Sequence, residues 1–136
     1  MYADATPITA DQSRQRLDEI TRSIIGAAHT VSSTLGFGFL EKVYENALVV
    51  EIRKRGLQVE QQRPVHVYYG SSIVGDYVTD ILVEGAVVVE VKAAMGLDAN
   101  HHAQCIHYLR ATGYRVCLLL NFGRARLELR RIVSNF

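Results

Sequence analysis

Three ionisable side chains stand among apolar neighbours in one part of this chain. In "VVVEVK", residues 87–92, Glu90 and Lys92 lie two positions apart, and in "VTDILV" Asp80 is the lone acid. Strand side chains alternate between faces, so Glu90 and Lys92 share one face and Val89 and Val91 the other. Burying an unpaired carboxylate or ammonium costs several kcal/mol. Three readings remain: a structural ion pair, a water-facing edge strand, or a site. Loop length decides how Asp80 relates to Glu90. A two-residue turn at Glu84-Gly85 would set Asp80 opposite Val89, on the wrong face. A three-residue loop, Glu84-Gly85-Ala86, sets Asp80 across from Glu90, and Gly85 suits the left-handed residue that such loops contain. We expect the three-residue loop. Directly opposed like charges destabilise a sheet, so two carboxylates beside a lysine call for a cation. Oxygen ligation favours Mg²⁺ or Mn²⁺, and such an ion activates the water it binds.

The elements that must position these groups follow from periodicity and punctuation. Leu17, Ile20, Ile24, Ala28, Val31 and Leu35 recur at helical spacing from about Asp11 to Leu35, ended by Gly36 and Gly38. A second helix runs from about Phe39 to Arg55 and stops at Gly56. Segments 57–62, 65–69 and 73–83 read as strands separated by Pro64 and "YGSS". "YVTDILV" and "VVVEVKA" form the hairpin. Asp98 to Thr112 is a third helix, with Asp98 as N-cap and Gly113 as stop. "YRVCLLLNFG" and "RLELRRIV" are the last strands. The order is α-α-β-β-β-β-α-β-β, an α/β (α+β mixed sheet) fold with helices packed on a central mixed sheet. The crossover through the third helix makes the Glu90 and Cys117 strands parallel.

The 136 residues suit one domain, spanning 1–136, with 1–10 read as a flexible N-terminal arm. No apolar run is long enough to cross a bilayer, and "MYADATPITADQSR" lacks a secretory pattern, so the expected location is cytoplasmic, with no membrane partner. A net charge of +1 excludes a bulk polycation. A nucleic-acid partner must then be held by local basic groups or through metal ions. Nine of the fifteen basic residues cluster at Arg53–Arg55, at Arg110 and Arg115, and at Arg124, Arg126, Arg130 and Arg131. Any single one of them reads first as solvated surface. Cys105 and Cys117 are too few for a disulfide framework and read as buried small hydrophobes. His101 and Cys105 have helical zinc-ligand spacing but no second pair to complete a site. Tyr68, Tyr69 and Tyr77 are readable as packing residues or as base-stacking platforms.

Asp80, nine intervening residues and Glu90-Val91-Lys92 resemble the D…(D/E)-x-K signature of the PD-(D/E)XK nuclease superfamily, the restriction-endonuclease-like fold. Gly38-Phe39-Leu40-Glu41-Lys42-Val43-Tyr44 matches G-x-x-E-x-x-Y. With "GLQVEQQRPVHVYYG" and "LLLNFG", it makes the chain similar to the GxxExxY family of that superfamily from about Leu17 to Val133. The resemblance implies a Mg²⁺- or Mn²⁺-dependent nuclease acting on DNA. Asp80 and Glu90 would hold the metal, with Glu41 direct or through water and the Val91 backbone carbonyl completing the shell. Lys92 would orient or deprotonate the attacking water, and Gln104 would position water or a phosphate oxygen. Tyr108 lies one turn beyond Gln104. Tyr44 would reach the acids or else be a core aromatic with a satisfied hydroxyl. His101, at a helix start, would meet phosphate. Two positions depart from the family pattern: Thr30 and Ser32 replace a Glu-x-His pair, and Thr79 replaces a proline before the first acid. Two other functions compete, a nucleic-acid-binding or regulatory module without turnover and a structural or protein-interaction domain. A second copy of the chain, pairing to cut both strands, is a partner the sequence leaves open.

Overall fold

The computed structural model describes residues 9–134. Of the expected N-terminal arm, residues 1–8 lie outside that range. Thr9 and Ala10 belong to the first helix, α1 (Ala10–Leu35), where Thr9 and Gln12 form a reciprocal capping box. The remaining elements are α2 (Glu41–Lys54), β1 (Val59–Tyr69), β2 (Ser72–Val83), β3 (Val87–Lys92), α3 (Ala99–Thr112), β4 (Val116–Asn121) and β5 (Glu128–Val133). Asp98 caps α3, and Gly113 ends it in the left-handed conformation.

One five-stranded sheet runs β1-β2-β3-β4-β5. Only β3 and β4 pair in parallel, as the crossover through α3 requires. Alternation along the central strands feeds two cores. Ile81, Val83, Val87, Val89, Val91, Leu118 and Leu120 meet α1 and α2 on one face. Leu82, Val88, Cys117 and Leu119 meet Cys105 and Leu109 of α3 on the other. No helix is long and apolar enough to cross a membrane among the described residues.

One element count needs correction. The expected break between segments 57–62 and 65–69 does not occur, so three strands rather than four precede α3. Pro64 is absorbed within β1, where it pairs with Val78. Proline lacks the ladder N–H, and β1 is an edge strand, the setting in which a sheet tolerates it. The register of β1 shifts instead between Val67 and Tyr68, and its backbone turns left-handed at Gln62, whose φ is +54°.

The hairpin register is the one set by the three-residue loop. Val83 pairs with Val87, Leu82 with Val88 and Ile81 with Val89. Both Glu84 and Gly85 take positive φ, 53° and 60°. The strained Glu84 is held through its carboxylate, which accepts from the Gln58 amide at 2.6 Å and from Arg16 at 2.7 Å. Because β3 pairs with only the last residues of β2, the outer part of the β1–β2 hairpin extends beyond the sheet as a two-stranded arm.

Candidate active site

Asp80 occupies a gap in the sheet. On one side the β1–β2 ladder passes from Gln61↔Ile81 to Arg63↔Thr79, omitting Gln62 and Asp80. On the other side the β2–β3 pairing ends at Ile81↔Val89. The Val91 amide, which a longer ladder would have used, instead donates to Asp80 Oδ2 at 2.8 Å. In an antiparallel pair a residue turns its N–H and C=O to the same neighbour, so the Val91 carbonyl also faces the β2 side.

Glu90, next along the hairpin register, shares the α3 face with Asp80 and is only 4% exposed. Its Oε1 is buried without a hydrogen-bond partner. The Glu90 carboxyl is pushed up to about 9, first by burial and then by the Asp80 charge and a hydrogen bond shared with it. Cys105 adds to this, and the Lys92 ammonium opposes it. A proton therefore stays on the pair at neutral pH.

The segment that carries Lys92 out of the sheet is clamped. The Phe122 amide donates to the Lys92 carbonyl at 2.8 Å. Asn121, fully buried, accepts from the Ala94 amide at 2.9 Å and donates back to the Ala94 carbonyl at 3.0 Å. It also accepts from Gly123 N and donates to Glu128. Gly123 must be glycine, because a β-carbon there would collide with the Ala94 backbone. The "NFG" of "LLLNFG" is thus the clamp on the chain just past Lys92.

On α3, Tyr108 is buried against β2. Its hydroxyl donates to the Val78 carbonyl at 3.1 Å. Burial pushes the phenol up to about 12, helped by the charges of Glu90 and Asp80, while a hydrogen bond with Gln104 opposes. Gln104 is otherwise exposed at the rim. Cys105 and Cys117 are buried free thiols in mutual hydrogen-bond contact, which lowers the first and raises the second.

Other expected site residues are placed elsewhere. Glu41 opens α2, exposed, and makes no hydrogen bond or ion pair among the described residues. Its helix packs on the sheet face opposite to Asp80 and Glu90. No group of three His, Cys, Asp or Glu side chains able to hold a metal exists among the described residues. Among these residues the structure brings Asp80 and Glu90 together without Glu41, and it gives His101 and Cys105 no further ligands for zinc. Tyr44 is fully buried, stacked on Phe122 at 5.0 Å. Its hydroxyl donates to the Gly36 carbonyl at 2.7 Å and accepts from the Phe39 amide at 3.1 Å, closing the α1–α2 loop rather than facing substrate. His101 Nδ1 accepts from the Asp98 amide at 3.2 Å, so that ring is committed to the α3 cap.

The sequence reading missed Glu45. It is 3% exposed and accepts from Lys42 at 2.9 Å, from Gln61 at 2.6 Å and from Gln62 at 3.0 and 3.1 Å. Adjacent strand residues normally point to opposite faces. Gln61 and Gln62 reach the same carboxylate because Gln62 is left-handed. Burial pushes Glu45 up, but the hydrogen bonds from Gln61, Lys42 and Gln62 outweigh it and hold the carboxyl below its usual range.

The donors at the Asp80–Glu90 pair suit a hard cation: two carboxylates, one with a buried oxygen in want of a partner. Mg²⁺ commonly takes one or two carboxylates and fills its remaining positions with water and substrate phosphate.

A mixed sheet with helices on both faces, and with one strand acid beside the glutamate of an E-x-K segment on the next strand, defines the restriction-endonuclease-like class of α/β folds. The family model of the PD-(D/E)XK nuclease superfamily matches residues 18–132, and the chain belongs to that superfamily. Its members generally use divalent metals and act on nucleic acid. Comparison with curated proteins and with solved structures finds no match.

Proposed function

We propose that this protein is a Mg²⁺- or Mn²⁺-dependent nuclease of the GxxExxY branch, hydrolysing phosphodiester bonds of DNA. The observation that carries the reading is the buried, partnerless Glu90 Oε1 beside the Asp80 carboxyl and the Lys92 ammonium. Asp80 and Glu90 would hold the ion, and the Val91 carbonyl would serve as a third donor. A bound divalent ion would lower the pKa of a coordinated water and neutralise phosphate charge.

The chain's own groups account for the rest. The Val91 amide fixes the Asp80 carboxylate in one orientation. The proton held on the pair would have to leave for a divalent ion to bind, because both need the same carboxylate oxygens. Lys92, on a backbone clamped by Asn121 and Phe122, aligns the attacking water and offers positive charge to the phosphate as it gains negative charge. Gln104, hydrogen-bonded to Tyr108 at the rim, is poised to hold a phosphate oxygen or water.

The placement of Glu41 on the helix that covers the opposite sheet face favours one other reading, a nucleic-acid-binding module that keeps the fold without turnover. Purified protein incubated with single- and double-stranded oligodeoxynucleotides, with Mg²⁺, Mn²⁺ or EDTA, separates the two. Metal-dependent cleavage that disappears in Asp80→Asn supports the nuclease. Salt-sensitive binding with no cleavage under any metal supports the module.

A further inference from the structure

The overhanging arm and α3 enclose a groove that leads away from the carboxylate pair. Its inner part is a depression of about 270 Å³ between Tyr77, Gln104, His107 and Tyr108. Its outer part, about 340 Å³, lies between Tyr68, Tyr77, His107 and Arg110. The two share Tyr77 and His107, so they adjoin. The inner end reaches Tyr108, whose hydroxyl donates to the Val78 carbonyl, two residues before Asp80 on β2. The groove therefore ends beside the strand that carries Asp80.

Its composition is selective. Tyr68 is 59% exposed and Tyr77 44% exposed. Tyr77 meets Tyr108 edge-on at 5.4 Å between ring centroids, which leaves a ring face uncommitted to that neighbour. Among the described residues, neither depression is lined by an acidic side chain, while Arg110 and His107 line the outer one. Exposed aromatic faces beside basic groups, without acids, complement a polyanion whose bases are free to stack. Paired bases in a duplex keep their faces inside the stack and cannot use such platforms.

We propose that this groove binds single-stranded nucleic acid, with bases stacked on Tyr68 and Tyr77, the backbone passing Arg110 and His107, and the strand leading to Asp80 and Glu90. The proposal rests on the nuclease reading for its direction but not for its binding test. It makes the arm a strand guide and the preferred substrate a single-stranded one.

The test uses the full chain in EDTA, so that no turnover is required, with fluorescent oligothymidylate, oligouridylate and a blunt duplex of equal length. We expect both single strands, or one of them, to bind more tightly than the duplex. Tyr68→Ala, at an exposed arm position, weakens single-strand binding about tenfold, within the range for losing one base–aromatic stack, and Tyr68→Phe restores it. Arg110→Gln makes binding less salt-dependent, lowering the slope of log K against log salt by about 0.7 for one phosphate contact. Equal or tighter duplex binding, or Tyr68→Ala binding as well as wild type with its melting curve unchanged, overturns the proposal. Self-association through the arm with no oligonucleotide bound also overturns it. Absence of cleavage with Mg²⁺ while single-strand binding persists counts against the nuclease reading alone and leaves the groove assignment standing.

Discussion

Glu45 and Glu90 are both carboxylates almost without solvent contact, 3% and 4% exposed, held over opposite faces of the same sheet. Glu45 receives hydrogen bonds from Lys42, Gln61 and Gln62, and its carboxyl is held below the usual range despite burial. Glu90 has an oxygen with no partner, a second acid beside it and a carboxyl pushed up to about 9. Burial is therefore not what separates them. The protein completes one anion with its own donors and leaves the other incomplete. A buried acid that the fold satisfies is part of the architecture. One left wanting positive charge identifies where a cation or proton must come from outside.

The largest expected effect is on catalysis. Asp80→Asn and Lys92→Ala should each reduce the rate of oligonucleotide cleavage by about 10²–10⁴-fold, whereas Glu45→Gln should retain most of it. Single-turnover cleavage in Mn²⁺ measures all three. If Glu45→Gln is as inactive as Asp80→Asn while its melting curve is unchanged, the division into structural and chemical acids is wrong.

Stability against pH should also run in opposite directions for the two acids. Glu90 is raised in the folded state, so the native protein binds the extra proton between about 4.5 and about 9. Its contribution is fully present below the unfolded value and is lost as pH rises through that window. With each pKa unit worth about 1.4 kcal/mol, the loss amounts to several kcal/mol in metal-free protein. Glu90→Gln should flatten the profile and be more stable than wild type at pH 9. Glu45 is lowered, so its contribution is present above the unfolded value and lost as pH falls below it. Glu45→Ala should cost about 1–3 kcal/mol at neutral pH, because it strands the donors gathered around it. Urea unfolding from pH 4 to pH 9 in EDTA reads both slopes.

How far this contrast could be seen in the sequence depended on the range of the interaction. The opposition of Asp80 and Glu90 follows from side-chain alternation and a three-residue loop, both local, and both legible. Pro64 was misread as a break because the rule against proline in strands holds for inner strands, and edge position is a property of the finished sheet. Glu45 left no signal. Its partners arrive from a strand whose Gln62 adopts a left-handed φ that the residue type does not announce. Asn121 could be noticed within "LLLNFG", but its clamp on Ala94 is a contact across 27 positions of chain. Helical spacing placed Tyr44 and Glu41 on α2 correctly without saying which sheet face that helix would cover.

Metal binding should sharpen the comparison by a smaller amount. Mn²⁺ at a hundredfold excess over its dissociation constant should stabilise the wild type by about 2.7 kcal/mol. Calorimetry should find the binding lost in Asp80→Asn and kept in Glu45→Gln. Binding should also strengthen from pH 6 to pH 9, because the ion displaces the proton that Glu90 retains up to about 9. Affinity independent of pH, or undiminished in Asp80→Asn, would place the ion elsewhere.

Glu41 gives the smallest expected effect and the most direct check on the two-acid site. It lies in the first turn of α2, where a carboxylate gains only the few tenths of a kcal/mol that a helix N-terminus offers at an exposed position. Glu41→Ala should therefore lower stability by no more than about 0.5 kcal/mol. If two carboxylates and a carbonyl suffice for the ion, Mn²⁺ affinity without nucleic acid should stay within about threefold of wild type, a difference near 0.65 kcal/mol. Cleavage is the separate question. A rate falling by more than a hundredfold with Mn²⁺ affinity unchanged would mean that Glu41 acts only once substrate is bound, drawn toward the phosphate-bearing ion through water. Loss of Mn²⁺ binding in Glu41→Ala would restore a third acid to the site and require α2 to turn its first residue toward the hairpin. Neither loss would leave Glu90, the acid that the fold does not complete, and Asp80 as the whole acidic part of the centre.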